Sequence, residues 1–379
     1  MKSRSKGRQK DNGRNAQKDA DSRRKHKTAA HGGWSARLKR IARWTVLAVL
    51  AFILASSIAG ALLMRDPLPV LMDRKAHWPS FIWASVSYFG DRVLFLTDAM
   101  GLTGSDTFYS YDMPPPAGEI FFAGAPQRVS DPAPKDIKVI ERGDFTVGWS
   151  AKLRHPVWVA YHVPAESKFP LAKRPPFRDD PGAMRCPSPN SYSRSGFDRG
   201  HMAPNHAMST RFGEDSQKAS FLMTNISPQT PNLNRGAWRE MERLIADFWT
   251  ERYGEIWVIV GALPSRAGSG ETIPGSDIDV PPGYYMVIVA ETVAENAPEG
   301  EPYEVRALAV KMPQDIPWRA FPVHNIVSID EIERETGLDF LPDLPDFIES
   351  PLEAETPTRL WPVKLADIPS LILMRLRGR

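Results

Sequence analysis

Hydrophobic and polar positions follow a helical period most clearly in residues 234–253. Apolar side chains recur there every three to four residues, at Ala237, Trp238, Met241, Leu244, Ile245, Phe248 and Trp249. This spacing places them in one stripe along an amphipathic helix. Gly254 follows directly and is a typical helix terminator. The pattern therefore predicts a helix over residues 234–253 with one buried face.

Shorter apolar runs, separated by turn residues, predict strands before and after this helix. They occupy residues 138–140, 145–149, 157–163, 256–261, 284–290 and 305–310. No internal repeat of 20–50 residues accompanies them. Several strands combined with few helices indicate the α+β class, in which helices pack on a sheet.

A third pattern lies near the amino terminus, where residues 45–64 contain no charged side chain. A helix of that length, at about 1.5 Å per residue, spans the hydrocarbon core of a bilayer. Lys and Arg crowd its amino-terminal side, which assigns that side to the cytoplasm. We predict one transmembrane anchor at residues 44–65. A cleavable signal peptide is the alternative, because Ala59-Gly60-Ala61 resembles a cleavage site.

Charge and cysteine content exclude several classes of protein. The net charge of the 379 residues is +3, but residues 1–43 hold 15 Lys or Arg against three Asp. The rest of the chain is therefore acidic, and the overall basic charge does not argue for nucleic-acid binding. Cys186 is the single cysteine. It excludes an intrachain disulfide and a zinc site built from several cysteines.

Polar motifs stand between the predicted strands and at the start of the helix. Residues 198–201 read DRGH, residues 225–229 read NISPQ, and Asn234, Trp238 and Glu242 form N-x3-W-x3-E. These motifs resemble the DNA/RNA non-specific endonucleases of the ββα-metal, or His-Me finger, class, which includes endonuclease G. The resemblance extends over residues 137–345. It implies a nuclease domain built on a central antiparallel sheet.

The predicted organisation follows from these patterns. A basic disordered cytoplasmic tail (1–43) precedes the anchor (44–65), a membrane-proximal linker or packing arm (66–136), the endonuclease domain (137–349) and a carboxy-terminal extension (350–379). The extension has no assigned role. Its apolar residues could pack on the domain or on the membrane.

Phosphodiester hydrolysis requires an activated water, a cation on the phosphate and help for the leaving oxygen. An imidazole that titrates near pH 6.5 can accept a proton from water. We therefore predict that His201 is the general base. The alternative is a hydrogen-bonded structural histidine, which is the usual role of a single histidine outside such a group of motifs.

The resemblance further implies that Asn234 is the sole protein ligand of a Mg²⁺ ion, with Mn²⁺ as a substitute. Mg²⁺ prefers hard oxygen ligands and commonly keeps several waters. A helix N-cap is the alternative for Asn234, since Asn is favoured there. The resemblance implies that Glu242 orients metal-bound waters. The alternative for Glu242 is a surface partner of Arg239 or Arg243.

Arginines complete the predicted site. The resemblance matches Arg199 to a phosphate-proximal arginine and Arg174 to an upstream catalytic arginine. Arg178 remains a rival for the second role, because the intervening prolines blur the register. Asn225 is counted among the catalytic residues as a residue that shapes the site, with a backbone-holding turn residue as the alternative. Asp198 is expected to brace the loop or the adjacent arginine.

Together these features predict a membrane-anchored hydrolase that is a Mg²⁺-dependent endonuclease. Its expected partners are the phosphate backbone of DNA and RNA, the membrane and, left open, a second copy of the chain in a homodimer. The domain is expected in the bacterial periplasm, with the mitochondrial intermembrane space as the alternative. Two other functions remain open: a catalytically silent binding or scaffold protein, and a phosphodiesterase of small substrates.

Overall fold

Long apolar strands with turn residues between them favour one extended antiparallel sheet. In the computed structural model, which describes residues 96–102, 109–111, 117–265, 270–292, 303–318 and 320–377, the described residues belong to one unit, Leu94–Arg379. The predicted tail and anchor lie outside the described residues. No helix in the described part of the chain is long and apolar enough to cross a membrane.

Within these ranges the main sheet has eight antiparallel strands, in the order β1-β12-β11-β8-β5-β4-β3 with β13 also paired to β12. The strands are β1 (Tyr109–Tyr111), β3 (Ile137–Glu141), β4 (Phe145–Ser150), β5 (His155–Val163), β8 (Ile256–Ala262), β11 (Gly283–Thr292), β12 (Tyr303–Pro313) and β13 (Ile326–Val327). The predicted strands and the α+β class are confirmed.

Three small two-stranded sheets lie beside it. They pair β2 (Gln127–Arg128) with β14 (Leu338–Asp339), β6 (Asp198–His201) with β7 (Ile226–Gln229), and β9 (Glu271–Thr272) with β10 (Asp279–Val280). The pairing of β2 with β14 joins a segment before residue 137 to one near residue 339. Part of the segment that the sequence assigns to a linker or packing arm therefore pairs with a strand of the predicted domain.

Helical segments connect these strands. They are α1 (Asn205–Ala207, continued by Met208–Phe212), α2 (Glu214–Ser220), α3 (Pro231–Leu233, Asn234–Trp238, Arg239–Arg243, Leu244–Trp249 and Thr250–Tyr253 in direct succession), α4 (Ile329–Thr336), α5 (Asp346–Ala354) and α6 (Ile368–Arg377). Short 3₁₀ turns occupy Pro189–Tyr192, Met223–Asn225, Pro322–Asn325 and Leu365–Asp367.

Helix α3 confirms the predicted amphipathic helix and differs from it at the start. It begins at Pro231, one turn before Asn234, because proline is well tolerated in a first helical turn. Gly236 then departs from helical geometry, with φ −103° and ψ −115°. The turn that carries Asn234 is therefore offset from the rest of the helix, and a single helical wheel does not describe both parts.

Tyr284 and Tyr285 mark the two faces of the sheet, because neighbouring residues of a strand point to opposite sides. Tyr284 contacts Trp238 of α3, with ring centroids 5.7 Å apart. Tyr285 contacts Phe340, next to α4, at 5.5 Å. Helical layers thus cover both faces. This double coverage explains why β8 is buried at every position and lacks an alternating pattern.

Part of the carboxy-terminal extension packs on the end of α3. The Trp249 indole donates a hydrogen bond to the Trp361 carbonyl at 2.9 Å, and the Tyr253 hydroxyl donates to the Pro362 carbonyl at 3.1 Å. Of the two placements that the sequence left open for residues 350–379, packing on the domain therefore holds for this segment.

Candidate active site

The DRGH and NISPQ motifs lie opposite each other in two paired strands, β6 and β7. We call this pair the DRGH hairpin; residues 202–225 connect its two strands. Strand β6 pairs with β7 so that Asp198 is opposite Gln229 and His201 is opposite Ile226. Gly200 is required by this pairing, since a Cβ there would lie 2.6 Å from the Cγ of Gln229. Helix α3 begins two residues after β7, so the hairpin and α3 form a ββα unit. The ββα arrangement implied by the resemblance is present.

A hydroxyl of the sheet fixes this hairpin to the Tyr284 face. The Tyr284 hydroxyl donates to the Pro228 carbonyl at 2.7 Å and lies 2.8 Å from the Ser227 hydroxyl. All of these groups are buried. The hairpin is therefore anchored through its second strand, which leaves the DRGH strand free to present side chains.

Asp198 positions Asn234. The Asn234 side-chain amide donates to Asp198 Oδ2 at 2.9 Å, and Arg235 Nε donates to the same oxygen at 2.7 Å. A carboxylate only accepts hydrogen bonds, so the NH₂ group of Asn234 must face it and Oδ1 must point elsewhere. Asn234 is in helical conformation, and its backbone N–H donates to Thr230. The N-cap alternative for Asn234 is therefore wrong.

Burial alone would raise the pKa of Asp198. The hydrogen bonds from Arg235 and Asn234 outweigh it and hold the pKa of this carboxyl below its ordinary value. Asp198 is thus ionised at neutral pH. The sequence predicted that Asp198 braces a loop or Arg199. Its hydrogen-bond partners are instead Asn234 and Arg235, so it positions the Asn234 amide.

His201 is a buried histidine in aromatic surroundings. Its ring centroid lies 4.5 Å from that of Phe221 and 5.3 Å from that of Phe177. Burial, with a smaller contribution from the positive charge of Arg174, lowers the pKa of His201 to about 3. Its Nε2 has no hydrogen-bond partner among the described residues. The imidazole is therefore neutral at physiological pH and able to accept a proton.

The structure separates Arg174 from its rival Arg178. Arg174 lies with its guanidinium carbon 5.6 Å from the Phe221 ring centroid, and its charge acts on both His201 and Glu242. Arg178 instead forms backbone hydrogen bonds with Phe221 and Met223, and its side chain donates to the Lys218 carbonyl at 3.4 Å. Of the two arginines, Arg174 faces the other predicted site residues.

Glu242 lies on α3 near this group. Burial raises the pKa of Glu242 to about 8, although neighbouring donors oppose the effect. These are the indole of Trp238 and the guanidinium groups of Arg239, Arg174 and Arg243. Burial, and after it the charge of Glu242, raises the pKa of Tyr161, whose hydroxyl has no hydrogen-bond partner in the described ranges. Glu242 therefore faces a partly buried polar space, beyond the surface pairing considered as its alternative.

Arg199 and Asn225 serve the loops around His201. Arg199 Nε and Nη2 both donate to the Pro189 carbonyl, at 3.0 and 2.6 Å. Asn225 is fully buried; it accepts from the Ala203 N–H at 2.8 Å and donates to the carbonyls of Ala203 and Ser220 at 2.9 Å each. Asn225 holds the backbone that follows His201. These contacts agree with the backbone-holding alternative, and the predicted part of Asn225 in shaping the site stays a prediction.

Four residues around the site were not singled out from the sequence. Phe177 and Phe221 surround the His201 ring, Tyr161 approaches Glu242, and Arg235 pairs with Asp198. Arg235 directly follows Asn234 in a region rich in arginine, so its position was a usable signal. The aromatic residues carry no periodic or motif signal that distinguishes them from other core residues.

Comparison with known proteins agrees with these motifs. A family model for DNA/RNA non-specific endonuclease matches residues 124–347. A nuclease of Nostoc sp. is 32% identical over 205 residues, which cover 52% of this chain and 71% of that protein. The mitochondrial nuclease EXOG of Danio rerio is 29% identical, covering 50% of this chain and 57% of that protein. Mitochondrial endonuclease G of Bos taurus is 31% identical, covering 40% of this chain and 50% of that protein.

Among solved structures, the complex of EndoG with EndoGI contains a chain that is 25% identical, with a TM-score of 0.48, covering 55% of this chain and 88% of that one. The match of the family model includes the hairpin and helix that carry the site. The chain therefore belongs to the DNA/RNA non-specific endonuclease family, and the prediction of a nuclease is confirmed at the level of the family.

Proposed function

We propose that this protein is a metal-dependent endonuclease that hydrolyses phosphodiester bonds in DNA and RNA without base specificity. One observation carries the proposal. The carboxylate of Asp198 accepts from the Asn234 amide at 2.9 Å, within the ββα unit that also carries His201. A proton acceptor and an oriented oxygen ligand would thus both be provided by one pair of strands and the helix after it.

The side chains present fit a hard divalent cation. The NH₂ group of Asn234 is engaged by Asp198, so the remaining amide oxygen is a hard donor with a fixed orientation. Asn234 would hold Mg²⁺, and Glu242 would orient water around it; Mn²⁺ shares the preference for oxygen ligands. When bound, the ion supplies Lewis-acid stabilisation of the negative charge on the phosphate and the leaving oxygen.

His201 would take the proton from the attacking water. The imidazole is neutral because burial and Arg174 lower its pKa, so a proton acceptor is ready at physiological pH. A phosphate bound nearby would add negative charge and offset that of Arg174. This charge would raise the pKa of the imidazole and strengthen it as a base when substrate is present.

Arginines would hold the phosphate backbone. The guanidinium group of Arg174 is exposed, and its charge already acts on His201 and Glu242. Arg199 is fixed through the Pro189 carbonyl. Guanidinium groups suit bidentate contact with phosphate, and such contacts carry no sequence information. Cleavage without base specificity follows from this mode of binding.

We further propose that residues 44–65 anchor the enzyme in a membrane and that the domain lies on the side away from the cytoplasm. This proposal rests on the uncharged run and the basic residues before it. The bacterial periplasm is the compartment that we favour, with the mitochondrial intermembrane space as the alternative of equal orientation. In the periplasm, a non-specific nuclease cannot reach the chromosome of its own cell.

The test is plasmid nicking by the full-length protein, purified in detergent micelles, with Mg²⁺, with chelator and with two variants. His201→Ala should lower the rate about 10²- to 10⁴-fold, the usual contribution of a general base. His324→Ala is the matched control, because His324 is exposed and outside the site. It should cut at the wild-type rate.

Three results would contradict the proposal. Cutting that persists in the presence of chelator would exclude a role for a metal ion in catalysis. A folded His201→Ala variant that cuts at the wild-type rate would exclude His201 as the general base. Absence of cutting by folded wild type on DNA and RNA would favour a binding or scaffold protein, and cleavage of small phosphodiesters alone would favour the remaining alternative.

A further inference from the structure

Three carboxylates meet on the face of the sheet opposite the DRGH hairpin. Asp330 and Glu333 lie on α4, and Glu353 lies on α5. One oxygen from each can be chosen so that all three lie within 4.8 Å of one another. The apolar sides of α4 and α5 pack into the cluster that contains Tyr285, whereas the hairpin contacts Tyr284. This group of acids is therefore separate from the proposed catalytic metal.

Glu353 is the most unusual member of the group. It is 5% exposed, and its Oε1 has no hydrogen-bond partner among the described residues. A buried carboxylate without a partner is strongly destabilising as an anion, because its hydration is lost and nothing replaces it. The side chain therefore requires either a proton or a positive charge close to it.

Neighbouring acids add to the effect of burial on Glu353. Burial first, and then Glu333, Glu349, Asp339 and Asp330, raise the pKa of Glu353 to about 9. Burial and neighbouring acids likewise raise the pKa of Glu333 to about 7, opposed by the Phe340 N–H, which donates to its Oε1 at 2.8 Å. All the charged residues that contribute to these two pKa shifts are acids.

A lysine of the neighbouring strand pairs with two other acids of α4. Lys311 of β12 contacts Glu331 at 2.6 Å and Glu335 at 2.7 Å, both on α4. These two acids are thus paired with a cation. The chain thus neutralises one set of acids on α4 with a lysine and leaves the other set facing Glu353.

We propose that Asp330, Glu333 and Glu353 bind a Ca²⁺ ion that links α4 to α5. Two oxygens that bind one Ca²⁺ ion at about 2.4 Å lie at most about 4.8 Å apart, which accommodates the observed grouping. Mg²⁺, at about 2.1 Å, requires a tighter and more regular arrangement. The donor set has carboxylates only, and Ca²⁺ accepts these singly or bidentately with waters completing its shell.

The consequence is structural. Helix α5 contains Leu352 and Ile348, which pack in the same core as Ile332 of α4. A cation between the helices would replace repulsion between acids by attraction to a common charge. Removal of the ion would leave the core contacts but remove this attraction, and Glu353 would then be protonated at neutral pH, so the two helices would be held less firmly.

The test measures the thermal unfolding midpoint of the full-length protein, prepared free of metal in detergent micelles, with added CaCl₂ or MgCl₂. Ca²⁺ should raise the midpoint of the wild type by about 5 °C or more, with a smaller effect of Mg²⁺ at equal concentration. Glu353→Gln, which keeps the shape of the side chain, should lose this response, and so should Asp330→Asn. Glu335→Gln is the matched control on the same helix and should keep it.

Asn234→Ala separates this site from the catalytic metal and should keep the full Ca²⁺ response. Equilibrium dialysis with radioactive Ca²⁺ should find one tightly bound ion in Asn234→Ala and none in the double variant with Glu353→Gln. A wild type whose midpoint does not respond to Ca²⁺ would overturn the proposal, as would an equal response in Glu353→Gln. Either result would leave the nuclease proposal untouched.

Discussion

The charged groups around the DRGH hairpin are compensated, whereas those between α4 and α5 are not. On the hairpin side, Asp198 accepts hydrogen bonds from Asn234 and Arg235, and its pKa lies below its ordinary value. On the opposite face, burial and then the neighbouring acids Glu333, Glu349, Asp339 and Asp330 raise the pKa of Glu353 to about 9. Burial raises the pKa of both carboxyls, but donors offset it at Asp198, whereas neighbouring acids add to it at Glu353.

Glu242 lies between these two extremes. Burial raises its pKa to about 8, although the Trp238 indole and three arginines oppose that effect. Burial of this carboxylate therefore outweighs cations that are largely exposed and screened by water. A bound cation would supply each of Glu242 and Glu353 with an opposite charge that offsets the effect of burial on its carboxylate.

The largest effect that tests the compensated region is expected from Arg174→Ala. Loss of its charge removes a phosphate contact and should lower kcat/KM on a short DNA duplex about 10²-fold. It should also move the acid limb of the pH profile to higher pH, because Arg174 lowers the pKa of His201. A higher pKa means that more of the imidazole is protonated, and unable to accept a proton, at mildly acidic pH.

Arg178→Ala is the matched control for this measurement. Its side chain donates to the Lys218 carbonyl on the surface, so activity and the pH profile should stay within about threefold of wild type. A larger loss in Arg178→Ala than in Arg174→Ala would reverse the assignment of the two arginines. An unchanged acid limb in Arg174→Ala would mean that the charge of Arg174 does not affect the pKa of His201.

A smaller effect is expected from Asp198→Asn, which removes the carboxylate that orients Asn234. Outer contacts of this kind typically contribute about 10- to 100-fold to metal affinity or activity. The Mg²⁺ concentration for half-maximal cutting should rise by about 10-fold, with a smaller change at saturating Mg²⁺. Asp215→Asn, at an exposed ion pair with Lys218, provides the control. An unchanged Mg²⁺ dependence in Asp198→Asn would exclude a positioning role for this residue.

The sequence was sufficient for what depends on local pattern. Apolar periodicity predicted the main strands and α3, and the DRGH and NISPQ motifs proved to be the two paired strands of one hairpin. It was insufficient where packing decides. Gly236 breaks the helical phase between Asn234 and Glu242, which no helical wheel anticipates. Asn225 uses its amide on backbone groups 22 and 5 residues away.

The cluster of Asp330, Glu333 and Glu353 on the opposite face is even harder to predict from the sequence. Asp330 and Glu333 are three residues apart on α4, which a helical pattern brings together, but Glu353 comes from another helix 20 residues later. Their meeting depends on how α4 and α5 pack on the sheet. The sequence could not decide between Arg174 and Arg178 for a related reason. The prolines between them form no regular strand or helix whose periodicity would show which arginine faces the site.

The smallest expected effect concerns the acids between α4 and α5, and it is measured as the pH dependence of the free energy of unfolding in the presence of chelator. An acid whose pKa is higher in the folded state binds more protons there, so the free energy of unfolding falls as pH rises from the unfolded pKa to the folded one. For Glu353 this window extends from 4.5 to about 9. His201 acts in the opposite direction, but only between about 3 and 6.5. Urea unfolding between pH 7 and 9 therefore excludes its contribution.

In that window wild type should lose roughly 1–2 kcal/mol more stability than Glu353→Gln, which cannot ionise at this position. Glu242 titrates in the same range, with a pKa of about 8, but it is present in both proteins and cancels in the difference. Saturating Ca²⁺ should abolish the difference in slope, since a bound cation keeps Glu353 ionised throughout. Equal slopes in chelator would mean that Glu353 does not carry an uncompensated charge, and the contrast between the two faces of the sheet would then disappear.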